Sequence, residues 1–253
     1  MAQRVLVTAG ASGIGLAIAN AFAAAGAAVH IADVDAEAVA AAMRAHERIS
    51  GSVTDVGDRA AVQRLFEDVQ TRLGGLDVLV NNAGISGPTA PLAEYDPAAW
   101  KAVIDVNLNG TFHVTQLAIP LLRLSAQASI VIMSSIAGRY GYANRVGYAT
   151  TKWGLVGFAK TLSLELGPHG ITCNAIHPGA VDGARIRSVF EGRASLSGRT
   201  VQEEAALALE NQSIKKFVDP ADIAALVMFL AGPHGRSISG QSIPIDGDSR
   251  AAQ

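Results

Sequence analysis

The chain has one cysteine in 253 residues, and aromatic side chains make up only 5% of it. A single thiol excludes an intrachain disulfide framework and suits a reducing compartment. That thiol, Cys173, lies in the apolar run Ile171-Thr172-Cys173-Asn174-Ala175-Ile176 and reads as a small hydrophobe in a strand, not as a nucleophile. Positive charge is not in excess either. Twenty basic against 22 acidic residues leave a net charge of −2, which lacks the basic field of a nucleic-acid or anionic-membrane binder. The longest apolar stretch, Leu16 to Ala32, contains Asn20, Gly26 and His30, so it reads as helix, turn and strand and not as a membrane span. No targeting segment is apparent, and a soluble cytoplasmic protein is the expectation. His30, His46, His113 and His177 do not cluster with acidic residues at ligand spacing, so no metal is expected.

What is abundant is small and apolar, as tightly packed helices over a parallel sheet require. Short β-rich runs alternate with alanine-rich helical periods from end to end, which predicts an α/β fold with a doubly wound, seven-stranded parallel sheet and helices on both faces. Strands are expected at Arg4–Thr8, Ala28–Asp33, Ile49–Ser52, Asp77–Asn81, Ala128–Ser134, Thr172–His177 and Gln241–Ile245. Helices are expected at Ile14–Ala25, Ala36–Arg44, Asp58–Leu73, Pro97–Leu124, Tyr148–Leu166 and Ala221–Ala231. These elements fill residues 1–253 as one expected domain. Residues 182–218 contain no strand, are charged and glycine-punctuated, and read as a lid or an inserted helical hairpin. Trp100 and Trp153 read as helix-packing anchors, and Glu203 and Glu204 as a solvated helix start within the lid.

Thr8-Ala9-Gly10-Ala11-Ser12-Gly13-Ile14-Gly15 follows the first strand and opens the first helix. Glycines there permit a tight turn and close backbone approach, so a pyrophosphate can meet the helix N-terminus. Contacts to a dinucleotide are expected from Gly10, Ser12, Gly13, Ile14 and Gly15. Asp33 ends the second strand, where a carboxylate accepts hydrogen bonds from the adenosine ribose and repels a 2′-phosphate. Neither Ser12 nor Val34 brings a basic side chain, so NAD is expected over NADP. Asp55 is placed to accept from the adenine amino group, with Val56 against the ring. Asn81-Asn82-Ala83-Gly84 forms a polar, close-approach turn at the crevice edge.

Tyr148-Ala-Thr-Thr-Lys152 puts a phenol and an ammonium four residues apart, on one face of a helix. A fixed cation beside a phenol favours the phenolate and makes it a usable base. Ser135 stands thirteen residues upstream, and Asn107 lies in Asp105-Val106-Asn107-Leu108-Asn109-Gly110. Together with the glycine turn, Asn81-Asn82-Ala83-Gly84 and His177-Pro178-Gly179, all in this order, the chain resembles the single-domain short-chain dehydrogenase/reductase family over essentially its whole length.

The resemblance implies a Rossmann fold, with Tyr148 as catalytic acid/base and Lys152 as its cationic partner, also holding the nicotinamide ribose. Ser135 would hydrogen-bond the substrate oxygen. Asn107 would bend its helix and hold a water linking Lys152 to solvent. Asn82, Ala83 and Gly84 would edge the cofactor crevice, and Pro178, Gly179 and Val181 would grip the nicotinamide carboxamide.

Two positions depart from the family pattern. Ala9 replaces the first glycine of the turn, with tighter packing expected, and Gly183 replaces a threonine, which would loosen the start of the lid. The implied activity is NAD-dependent interconversion of a secondary alcohol and a ketone. Alternatives are an NADPH-linked β-ketoacyl reductase and a non-catalytic dinucleotide sensor. A sugar-nucleotide epimerase or dehydratase is opposed by the short region after Tyr148. A small polar substrate is expected, such as a sugar, polyol, hydroxy acid or aryl carbinol, with Tyr142, Arg145 and Arg185 as contacts. Arg139, Tyr140, Asn144 and Arg187 lie in the same pocket-forming stretches. Arg145 is read as a fork for an anion or vicinal hydroxyls, or else as a salt bridge to the lid or a solvated loop side chain. Apolar faces on the 97–124 and 148–166 helices point to a homotetramer.

Overall fold

In a computed structural model that describes residues 2–252, seven strands form one parallel sheet. They are β1 (Arg4–Thr8), β2 (Ala28–Asp33), β3 (Ile49–Val53), β4 (Val78–Asn81), β5 (Ser129–Met133), β6 (Thr172–Pro178) and β7 (Ser242–Ile245). Their order is β3-β2-β1-β4-β5-β6-β7. The central strands are apolar on both faces because helices cover both sides: β4 and β5 are buried throughout. Register is set by these same residues, with Val5 opposite Val29 on one side and Val78 on the other.

Two apolar layers result. One packs α1 (Gly13–Ala24), α2 (Ala36–Ala45) and α9 (Pro220–Ala231) on the sheet through Ile18, Phe22, Val39 and Val227. The other packs α3 (Arg59–Leu73), α5 (Gly110–Leu122) and α6 (Val146–Leu166) through Leu65, Val114 and Leu155. Aspartates start four of the helices. Asp35, Asp58 and Asp219 accept backbone N–H bonds at the starts of α2, α3 and α9, as does Asp96 for α4 (Pro97–Ile104). Helix α1 has no such side-chain cap and no acid in its first turn, so its N-terminal N–H groups face outward at the β1 end.

The expected helix over 97–124 is two helices, α4 and α5, joined by a π-helical turn at Asp105–Asn109. Residues 182–218 form the helical hairpin α7 (Ala184–Ser197) and α8 (Val201–Glu210), tied back by a parallel bridge between Val181 and Val218. The order of strands places the topological switch between β1 and β4, where open α/β sheets present a ligand crevice beyond the strands' carboxyl ends.

Candidate active site

The crevice begins at the glycine turn. A side chain at Gly15 would lie 2.0 Å from the Ala9 carbonyl oxygen, so only glycine lets α1 start this close to β1. Gly13 has φ +50 and opens onto free space, leaving room beside the α1 N-terminus. Ala9 adopts φ 46, the left-handed region that a methyl group disfavours. The substitution at this position is therefore expressed as backbone strain. Asn82 clamps the strained turn by donating from Nδ2 to the carbonyls of Thr8 (3.0 Å) and Ala9 (3.1 Å). Thr8, which the sequence reading passed over, accepts at Oγ1 from the N–H groups of Asn82 and Ala83, both at 2.9 Å.

Asp33 stands at the end of β2 with Oδ2 accepting from the Ala11 N–H (3.1 Å) and Oδ1 from that of Asp35 (3.3 Å). Its carboxylate is thereby fixed against the glycine turn, with lone pairs left for a ligand. Val34 is exposed beside it. Asp55 is exposed and accepts from Gly57 N–H at 2.8 Å. Val56 is different: its side chain is buried against Gly110.

At the other end of the crevice, α6 carries Tyr148 and Lys152 as its first two turns form. Lys152 Nζ lies 5.5 Å from the Tyr148 ring centre and donates to the Met133 carbonyl at the end of β5 (2.7 Å). Burial, with Arg185 as a weaker like charge, pulls Lys152 down to about 7. Ser135 follows β5; its Oγ accepts from Ala137 N–H (3.2 Å), so its O–H is free to donate. The neighbouring Ser134 hydroxyl is committed to the Lys152 carbonyl (2.8 Å). His177 supports Ser135. Its Nδ1–H donates to the Ser135 carbonyl at 2.7 Å, Nε2 is buried without a partner, and burial holds the ring below its usual pKa.

Asn107 sits inside the π turn. Its Oδ1 accepts from Ile85 N–H (2.8 Å), and Nδ2 donates to the Ile85 carbonyl and to Thr151 Oγ1, both 3.0 Å. Its backbone carbonyl accepts from Thr111 (2.8 Å). The bend implied by the resemblance is this turn, but both amide hydrogens serve protein partners, leaving chiefly a second Oδ1 lone pair for a water. Gly84 is wedged between this side chain and Lys152: a Cβ there would lie 3.2 Å from Asn107 Oδ1 and 3.5 Å from Lys152 Nζ.

A single cavity of about 300 Å³ joins the two ends. Ala9, Ser12, Gly13, Ile14 and Asn82 line it at one end, and Ser135, Tyr148 and Lys152 at the other. Pro178, Gly179 and Val181 wall it where β6 gives way to the α7–α8 hairpin. Tyr142, Arg145 and Arg185, the expected substrate contacts, also line it. Arg185 is held by the Gly84 carbonyl (2.8 Å). Arg145 is buried and has no carboxylate partner, which corrects both the lid salt bridge and the solvated side chain.

Gly183 begins α7 with φ 148 and no side-chain cap, a conformation in which a threonine would be strained. Trp153 is half exposed, not a packing anchor, while Trp100 packs near Gly147 of α6. Glu203 closes a capping box with Thr200, but Glu204 is buried on Ser197 and Arg199, so it is not solvated. Burial pushes the Cys173 thiol up to about 12, which leaves it inert. Among the described residues, no group of three His, Cys, Asp or Glu side chains is placed to hold a metal, and no helix is long and apolar enough to cross a membrane.

The short chain dehydrogenase family model matches residues 3–194. The chain is 35% identical to the D-beta-hydroxybutyrate dehydrogenase of Cupriavidus necator over 201 residues, covering 79% of this chain and 78% of that one. It is 34% identical to the 3-oxoacyl-(acyl-carrier-protein) reductase of Thermotoga maritima over 246 residues, 96% of this chain and 95% of that one. Among solved structures, an NAD+-bound xylitol dehydrogenase superposes with a TM-score of 0.93 at 28% identity, covering 97% of this chain and 98% of that chain. With a doubly wound sheet, a glycine turn and Ser135, Tyr148 and Lys152 on one cavity, the chain belongs to the short-chain dehydrogenase family of oxidoreductases, which use a nicotinamide dinucleotide.

Proposed function

We propose that the protein is an NAD-dependent dehydrogenase or reductase that interconverts a secondary alcohol and a ketone on a small polar substrate. The observation that carries this reading is the continuity of one cavity from the α1 N-terminus to the Ser135, Tyr148 and Lys152 side chains. The features along that crevice suit a dinucleotide. The open side of Gly13 and the uncapped N–H groups of α1 suit a pyrophosphate, and the fixed Asp33 carboxylate suits a ribose without a 2′-phosphate. Ser12, Ile14, Asn82, Pro178, Gly179 and Val181 would complete the grip.

When bound, NAD supplies the acceptor for the hydride that leaves the alcohol carbon with its electron pair. The rest falls to this chain. The Ser135 hydroxyl donates to the substrate oxygen and orients it. Tyr148, whose hydroxyl has no protein hydrogen bond among the described residues, takes the O–H proton as the carbonyl forms, and returns it in the reverse direction. Lys152, held near neutrality at about 7, provides the cation beside the phenol and an exit for the proton. Asn107 holds Ile85 and Thr151, and through the π turn it keeps the wall beside Lys152 in place.

An NADPH-linked ketoacyl reductase is the second reading, favoured by the 3-oxoacyl reductase similarity over nearly the whole chain. Asp33 opposes it, because a 2′-phosphate beside a carboxylate costs repulsion and desolvation. A sensor without turnover would have no need for a free Ser135 donor beside Tyr148. We further propose one domain over 1–253, a cytoplasmic location and a homotetramer. The deciding experiment screens an alcohol panel with NAD and with NADP, following reduced-cofactor absorbance. NAD turnover is expected to dominate, and Tyr148→Phe to lower kcat by at least about 10²-fold with NAD binding nearly intact. Equal use of both cofactors, or an active Tyr148→Phe, would contradict the assignment.

A further inference from the structure

Arg145 is only 2% exposed at the start of α6, so its charge is carried inside the protein. All its polar partners are neutral. Nη1 donates to Thr89 Oγ1 and Nη2 to the Ser86 carbonyl, each at 3.1 Å, while Nε is buried without a partner. None of the ion pairs among the described residues involves it. Its Cζ lies 5.5 Å from the Tyr142 ring centre and 5.4 Å from that of Tyr148, and a second guanidinium, Arg193, stacks on the same Tyr142 ring. Burial holds Arg145 below its ordinary value and pushes the nearby Tyr95 phenol up, so Tyr95 provides no counter-charge at neutral pH. Proteins pair a buried charge, neutralise it, or keep it for a ligand, because leaving it alone is costly.

The place of Arg145 selects among these. It forms part of the wall between the cavity that holds Ser135 and Tyr148 and a second cavity of about 500 Å³, which lies between residues 84–89 and α7. The only charged side chains on the second cavity are Arg145 and Arg185; the only carboxylate on either is Asp182, in the first. Two like charges on one recess favour an anion there. A guanidinium's planar donors match a carboxylate's two oxygens.

Resting on the alcohol–ketone reading, we propose that the second cavity receives a carboxylate of the substrate, paired with Arg145, so that the substrate is a short hydroxy acid or its oxo acid. With Cζ 5.4 Å from the Tyr148 ring centre, the carboxylate and the reacting carbon lie close together, which favours a short acid. The carboxylate takes no part in the redox step. It fixes the chain so that the carbinol oxygen meets Ser135 and Tyr148.

The test offers wild-type protein, with NAD, 3-hydroxybutyrate and lactate against their methyl esters. Each ester keeps the carbinol and removes the charge. The better acid should exceed its ester by about 10²-fold in kcat/KM, the size of losing one partner of a desolvated charge pair. Arg145→Gln should collapse that ratio toward unity mainly through KM, and Arg145→Lys should restore part of it, since a point charge does not reproduce the fork. Equal turnover of acid and ester by wild type overturns the proposal while leaving alcohol oxidation standing. That comparison needs no variant, so it holds if Arg145→Gln fails to fold. If neither compound is oxidised, the alcohol panel decides the alcohol reading and binding decides the site. A melting-temperature rise with 3-hydroxybutyrate in wild type but not in Arg145→Gln supports it, and no rise in wild type overturns it.

Discussion

Single residues in this protein carry costs that only the three-dimensional arrangement exposes. Ala9 holds φ 46 in the turn that faces the cofactor space, kept there by the Asn82 amide on its carbonyl. A left-handed alanine costs about 1–2 kcal/mol, of which glycine's extra freedom in the unfolded chain would return roughly 0.4–1 kcal/mol. Ala9→Gly should therefore stabilise the protein by up to about 1 kcal/mol in urea unfolding without harming NAD affinity; a loss of stability would show that the turn is unstrained. Lys152 is the opposite case, a buried cation with a proposed catalytic role. Its folded pKa of about 7 lies below the ordinary 10.5, so the unfolded chain binds more protons between those values. This group's penalty is therefore constant below about pH 7 and is relieved as pH rises from there toward 10.5. Wild type should gain more stability than Lys152→Met between pH 7 and pH 9, while Lys152→Met loses turnover and cofactor affinity. Parallel pH profiles for the two proteins would show that Lys152 is not held near neutrality.

At the level of elements, alternation and turn chemistry made most of the architecture legible before any coordinates. Strand cores such as Val5-Leu6-Val7 and Ile130-Val131-Ile132 admit one reading, and all seven expected strands exist, with no end shifted by more than one residue. The glycine turn and the spacing of Ser135, Tyr148 and Lys152 were legible for the same reason: each is a local pattern. What escaped depends on neighbours far along the chain. The bend at Asn107 was implied by the resemblance, but that it parts α4 from α5 depends on Asn107 bonding Ile85 and Thr151, partners 22 and 44 residues away. The burial of Val56 depends on Gly110, and that of Glu204 on how α7 turns into α8. Arg145 was placed correctly at the pocket, but its lack of a counter-ion depends on Ser86 and Thr89 folding over it. Hydrophobic periodicity contains no such information.

For the whole molecule, the helices on the α5–α6 side of the sheet are incompletely covered. Phe112 of α5 is 45% exposed, and Trp153 and Leu164 of α6 are 51% and 79% exposed, although the same helices bury Val114 and Leu155 against the sheet. Scattered apolar side chains need no explanation, but a tryptophan, a phenylalanine and a leucine on adjoining helices of one layer are what an isologous contact covers. A twofold axis beside these helices would bury them in pairs, and a second axis would complete the proposed tetramer. Multi-angle light scattering at micromolar protein should give four times the monomer mass. Trp153→Glu and Phe112→Glu together place charges where apolar area would be buried, and should shift the protein to smaller species. Because neither side chain lines the cavity between the glycine turn and Tyr148, the dissociated form should still bind NAD. A wild-type monomer would leave the exposed rings of α5 and α6 without a structural account.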